Sequence, residues 1–134
     1  MTHWSLVVLA SVAAMCTCAA AADLARMGEW DIVIDKDAPP AVVYAAEEFQ
    51  TLFAQASGQK LPVVRGTERA GGHVFIGPGE AMRGSSAAMD LADLGEEDLR
   101  IVVRDDNIAI AGGSPRGTLY GVYTFLEDHL GVRF

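Results

Sequence analysis

Between residues 41 and 56 the apolar side chains Val42, Ala45, Phe49, Leu52, Phe53 and Ala56 recur at helical spacing, while Glu47, Glu48, Gln50 and Gln55 fall largely between them. That period predicts an amphipathic helix with one face for a sheet and one for water. Asp37 is expected to cap its first N–H groups, Pro39 and Pro40 suit positions whose N–H has no helical partner, and Gly58 is expected to end it. A second helix is predicted from Ser114, as its cap, and Pro115, as its first residue, with Gly131 as the stop. Leu119, Val122, Leu126 and Leu130 form its apolar stripe, with Tyr123 and Phe125 beside it. Gly117 and Gly121 lie four apart and share a face. Interior glycines destabilise a helix by about 1 kcal/mol each relative to alanine, so a compensating reason is expected, such as a bare surface where another backbone comes close.

The strand pattern is shorter and simpler. Residues 30–35, Trp-Asp-Ile-Val-Ile-Asp, are β-branched and bounded by charge; residues 61–65 carry Pro62 at a strand start or edge; residues 73–77 end in the turn Gly77-Pro78-Gly79. Residues 99–104 and 107–111 flank Asp105-Asp106, and a connection that tight makes them an antiparallel hairpin. Residues 80–97, rich in Ala, Gly, Ser and Met, predict a loop with a helical turn near residues 87–91. The predicted order is β-α-β-β-loop-β-β-α. This is the pattern of an α+β two-layer sandwich, a mixed sheet with two main helices on one face.

The first residues change the picture. Residues 5–14 are an apolar run too short to span a bilayer, and residues 15–22, Met-Cys-Thr-Cys-Ala-Ala-Ala-Ala, have the small-residue character of a signal-peptidase site. Residues 1–22 are therefore expected to be a secretory signal cleaved after Ala20-x-Ala22, although the start has no Lys or Arg and only His3 besides the amino terminus. Cys16 and Cys18 raise lipoprotein anchoring as the alternative, but the residues before each fit a lipid-attachment box poorly. The expected location is secreted or periplasmic, with one mature domain over residues 23–134. Both cysteines fall in the signal, leaving no disulfide framework and no cysteine metal site. The net charge of −8 lies entirely in the mature domain and argues against nucleic acid, which is held by clustered Lys and Arg, and against anionic membrane surfaces. Roughly 110 residues are enough for a modest single core.

Candidate chemistry is sparse. Gly112-Gly-Ser-Pro-Arg-Gly117 sits between a strand and a helix, where anion-cradling loops occur, but its spacing fits neither a dinucleotide nor a Walker motif, and Pro115 removes one useful N–H. Arg116 stands where a nucleophile elbow at Ser114 would need glycine. Neither His73 nor His129 has a partner at useful spacing, and His129 reads as a favourable neighbour of a helix C-terminus. The carboxylate groups Glu47-Glu48, Glu96-Glu97-Asp98, Asp105-Asp106 and Glu127-Asp128 fall on predicted solvated faces, turns or helix ends, without the niche that raises a working acid's pKa. Trp30, Tyr44, Tyr120 and Tyr123 are candidate platforms for sugar rings, with core packing the favoured role. No catalytic, cofactor-binding or metal-binding residue is expected.

Taken together, residues 30–34, residues 37–49, residues 56–63, Val74-Phe-Ile-Gly-Pro78 and Ala111-Gly-Gly-Ser-Pro-Arg-Gly-Thr-Leu-Tyr-Gly-Val-Tyr-Thr-Phe-Leu-Glu127 resemble the N-terminal domain of family 67 α-glucuronidases. The pattern is also similar to the domain preceding the barrel in family 20 β-hexosaminidases. The resemblance runs from Trp30 to the end, and Leu130-Gly-Val-Arg-Phe134 belongs to its strongest part. It implies a two-layer α+β domain that is not the catalytic unit, followed in the same polypeptide by a (β/α)8 barrel carrying the catalytic carboxylates. The sequence is expected to be truncated before that barrel, and no catalytic residue carries over. Arg116, Gly117, Tyr120 and Gly121 then become the candidate face on which the barrel docks. The implied function is a non-catalytic domain of a secreted glycoside hydrolase in polysaccharide breakdown. The alternative is a carbohydrate-binding or structural interaction module without hydrolase activity. Expected partners are the barrel and an oligo- or polysaccharide, with no nucleic acid and no membrane after signal removal.

Overall fold

The structure, a computed structural model, describes residues 27–132; the expected signal at residues 1–22 and the last two residues lie outside them. After a 3-10 turn at Met27–Glu29 the elements are β1 (Asp31–Val33), α1 (Pro40–Ser57), β2 (Val63–Val64), β3 (His73–Ile76), α2 (Glu80–Arg83), β4 (Leu99–Arg104), β5 (Asn107–Gly112) and α3 (Pro115–Leu130). The five strands form one mixed sheet in the order β2-β1-β3-β5-β4. β2, β1, β3 and β5 run parallel, and β4 pairs antiparallel with β5, as the Asp105-Asp106 turn requires. The α+β class, the mixed sheet and the two main helices agree with the sequence pattern.

Register sorts the side chains into rows. Ile32, Val74 and Ile108 are neighbours across β1, β3 and β5, and with Ile34, Ile76 and Ile110 they form the sheet side of the main core. α1 and α3 cover that side with Phe49, Phe53, Val122, Phe125 and Leu126, all buried. The Phe49 ring lies 5.6 Å from Phe53 and 5.7 Å from Phe125, so aromatic packing ties one helix to the other. Alternation sends Val33, Phe75 and Ala109 to the opposite face. There they meet Met82 of α2 and Ala87 in a smaller cluster.

Local chemistry accounts for the ends of the helices. Ser114 Oγ accepts a hydrogen bond from Gly117 N–H at 3.2 Å, and Pro115 follows as the first helical residue. Gly58 and Gly131 close α1 and α3 in the left-handed conformation, φ 77° and 68°. Three expectations are corrected. Asp37 does not cap α1: Pro39 holds the cap position without a side-chain bond, and the Asp37 N–H is turned back to the Asp35 carboxylate at 3.2 Å. The helical turn between β3 and β4 lies at Glu80–Arg83, where Met82 can be buried. It does not lie near residues 87–91, because Ser85 Oγ donates to Met82 O at 2.7 Å and accepts from Ala87 N–H at 3.2 Å, which fixes a turn after α2. The apolar stripe of α3 is rotated: Gly121, Val122, Phe125 and Leu126 are buried, whereas Leu119 and Leu130 are only partly covered.

Candidate functional site

The turn from β5 into α3 is clamped against residues 94–98. The Gly113 N–H donates to Asp98 O at 3.1 Å, the Gly112 N–H donates to Thr118 Oγ1 at 3.0 Å, and the Ser114 hydroxyl donates to Glu96 O. A Cβ on Gly117 would stand 2.6 Å from Asp98 O and one on Gly121 would stand 2.7 Å from Ile110 Cγ2. The close approach that these two glycines permit is therefore made inside the domain, against its own loop and sheet. Backbone carbonyls occupy the surroundings of the turn, and they would repel an anion. Of the four expected interface residues, only Arg116 and Tyr120 face outward. Arg116 is 69% exposed and lies 3.7 Å from Glu97 Oε1, and Tyr120 is 41% exposed.

α1 and α3 follow the parallel strands β1 and β5, so they run side by side in the same direction, and their outer surfaces carry further aromatic side chains. Tyr44 is exposed. It does not take the packing role favoured by its helical spacing. Beside it, Tyr123 donates its hydroxyl to Glu48 Oε2 at 3.0 Å. Burial first, and then the Glu48 carboxylate, push the Tyr123 hydroxyl well above the usual tyrosine range. Tyr44 and Tyr123 thus meet on the outer side of the helix pair, where the Tyr123–Glu48 hydrogen bond joins α3 to α1.

A second group of polar residues was invisible in the sequence. Asp31, His73 and Asn107 are register neighbours at the beginning of β1, β3 and β5, on the face away from the two long helices. His73 is fully buried, with Nδ1 against Asp31 Oδ1 and Nε2 3.0 Å from both Thr67 Oγ1 and Arg69 O. Arg69 Nη2 donates to the other Asp31 oxygen at 2.8 Å. Asn107 Nδ2 donates to Ala70 O and Ser86 Oγ, both at 3.0 Å. His73 therefore does have a partner, 42 positions away, where local spacing suggested none. Asp, His and Thr in a line suggest a nucleophilic triad, but the imidazole is sealed from solvent and Nε2 faces a backbone carbonyl as well as the hydroxyl. The arrangement fastens the 67–72 loop and the loop after α2 to the sheet.

The remaining acidic groups are surface features. Asp93 accepts from Arg100 Nη2 at 3.1 Å, and that hydrogen bond foremost holds its carboxyl below the usual range. His129 is exposed in the last turn of α3, its ring 4.6 Å from Phe125. Among the described residues no three His, Cys, Asp or Glu side chains are grouped to hold a metal ion, and no helix is long and apolar enough to cross a membrane. A cleft of about 330 Å³ opens past the C-terminal ends of β1 and β3, where Asp35, Lys36, Arg65 and Glu80 meet over Phe75 and Met82. Arg65 spends Nη1 on the carbonyls of Asp35 and Lys36, at 3.3 and 3.0 Å, so it braces that rim.

Comparison with known proteins adds what geometry leaves open. Among solved structures the fold is similar to part of a GH138 enzyme targeting pectin rhamnogalacturonan II, with a TM-score of 0.51 and 16% identity. The match covers 78% of this chain and 11% of that enzyme, so the shared element is a small part of a much larger molecule. No curated protein matches the chain. The family described as the glycosyl hydrolase family 67 N-terminus matches residues 16–125, and the chain belongs to that family.

Proposed function

We propose that this chain is the non-catalytic N-terminal domain of a secreted glycoside hydrolase that takes part in polysaccharide breakdown. It supports a catalytic barrel that follows in the same polypeptide. The observation that carries this reading is the state of buried His73 and its partner Asp31 among the described residues: both nitrogens of His73 are engaged and its ring is closed to substrate. The domain's most reactive-looking residues hold loops in place. The outward-facing Arg116 and Tyr120 of α3 mark the face on which the barrel sits, because both are exposed on a helix packed firmly against α1. Tyrosine and arginine are residue types enriched at protein interfaces.

The 134-residue chain is expected to release no product from aryl glycosides or glucuronoxylan fragments. Turnover that disappears when an acidic pair such as Glu96-Glu97 is replaced would overturn the proposal.

A further inference from the structure

At the end of the sheet where β1, β3 and β5 begin, the domain has a second and larger cleft, of about 600 Å³. Its lining combines Trp30 with Glu29, Gln59, Arg69, Gly72 and Asp106. That volume lies within the range of sites that hold small organic ligands. The indole packs against the main core and is partly exposed, with its Cδ1–Nε1 edge toward Gly72; Trp30 sits just before β1, where its main-chain N–H donates to Met27 O at 3.0 Å. Gly72 places bare backbone beside the indole: a Cβ there would touch Trp30 Cδ1 and Arg69 Nη1, both at 3.6 Å. Across the cleft the Gln59 amide lies over Gly28, whose missing Cβ would stand 2.3 Å from Gln59 Oε1. Glycine at both positions keeps the trough open and the amide low in it.

The chemistry of this lining favours one class of ligand. A flat aromatic surface accepts the C–H face of a pyranose ring, and planar polar groups around it address hydroxyls, each of which both donates and accepts. Gln59 and Arg69 supply donors; Glu29 and the Gln59 carbonyl supply acceptors. Charge excludes most anions. Two carboxylates face one guanidinium, and Asp31 already holds that guanidinium at 2.8 Å, in a chain of net charge −8. We infer that the Trp30 cleft is a binding subsite for a neutral sugar residue of an oligosaccharide, set against the indole and bonded through Gln59. The inference rests on the reading of the domain as part of a glycoside hydrolase, which brings polysaccharide to it.

The topology gives the subsite a use. α3 runs back along β5, from Gly117 beside Gly112 to Gly121 beside Ile110, so its last turn lies at the same end of the sheet as Trp30. The sugar would be held at the end from which the chain leaves α3.

The isotope-labelled full chain, titrated with xylohexaose and separately with cellohexaose, tests this by amide and indole chemical shifts. Shifts of the Trp30 indole N–H and of the Gly71 and Gly72 amides are expected, saturating with a Kd on the order of 1 mM for at least one probe. Gln59→Ala should weaken binding about 5-fold, in keeping with the loss of one hydrogen bond. Gly28→Ala should weaken it similarly by displacing the amide without removing any group that bonds the sugar, and thermal melting of each variant separates lost binding from lost fold. Absence of shifts with both probes, shifts confined to Tyr44 and Tyr120, or unchanged affinity in folded Gln59→Ala and Gly28→Ala variants would each overturn the subsite. Hydrolysis of a probe by the chain would instead overturn the proposed function and leave the subsite standing.

Discussion

The two faces of the sheet are held by different physics. Toward α1 and α3 the strands present Ile32, Ile34, Val74, Ile76, Ile108 and Ile110, and burial of apolar area holds the layers together. Toward the loops the same strands present Asp31, His73 and Asn107 in one row and Val33, Phe75 and Ala109 in the next. Half of that face is a hydrogen-bonded lattice that ties side chains to the carbonyls of Arg69 and Ala70. The two long helices bring their own backbone bonds and a wide apolar stripe, so few polar ties such as Thr118 Oγ1 to the Gly112 N–H join them to the sheet. Loops bring unpaired carbonyls, so the sheet must offer donors to hold them.

This contrast can be broken from either side. Phe49→Ala removes a ring packed between Phe53 and Phe125 and should destabilise the fold by about 4 kcal/mol, seen as a lower denaturant midpoint. Asp31→Asn leaves buried His73 facing an uncharged partner and frees Arg69; about 3 kcal/mol is expected, together with faster hydrogen exchange confined to residues 67–72. A loss from Asp31→Asn spread evenly over the molecule would mean that the polar row supports the whole sheet and not its loops. Tyr123→Phe, at the outer groove of the helix layer, should cost about 1 kcal/mol at neutral pH by removing one hydrogen bond to a carboxylate. It also sharpens the comparison through pH. Because the folded state holds the Tyr123 proton more tightly than the unfolded chain, its contribution is fully present below about pH 10 and declines as pH rises further. The alkaline loss of stability should be shallower in the variant.

Legibility followed the same division. The helix layer could be read directly, since Ser114, Pro115, Gly58 and Gly131 act locally and the apolar period of α1 repeats often enough to show. The β4–β5 hairpin was equally plain from Asp105-Asp106. The strand order was not, because nothing in the β1 sequence says that it lies between β2 and β3. The loop-covered face was the least legible. The turn at Glu80–Arg83 is fixed by burial of Met82 under Phe75, and the partner of His73 stands 42 positions earlier, beyond any spacing rule. Among the candidate interface residues, Gly117 and Gly121 did signal a close approach, but sequence could not tell whether the approaching backbone belonged to this domain or to another. Gln59 and Asp106 meet Trp30 only through the fold, so the Trp30 cleft had no linear motif.

One consequence of the strand order concerns what the domain keeps away. β2 ends the sheet on one side with only two residues and Pro62 before it, which gives an incoming chain little to pair with. β4 ends the other side with six residues, and among the described residues its outer backbone is unpaired. Ile101, Val102 and Val103 on that margin form a short β-prone run, and Val103 is 61% exposed. Arg100 and Arg104 stand at either end of the run. Charged residues that flank a β-prone edge disfavour edge-to-edge pairing, and Arg104, next to the exposed Val103, stands where such a charge acts.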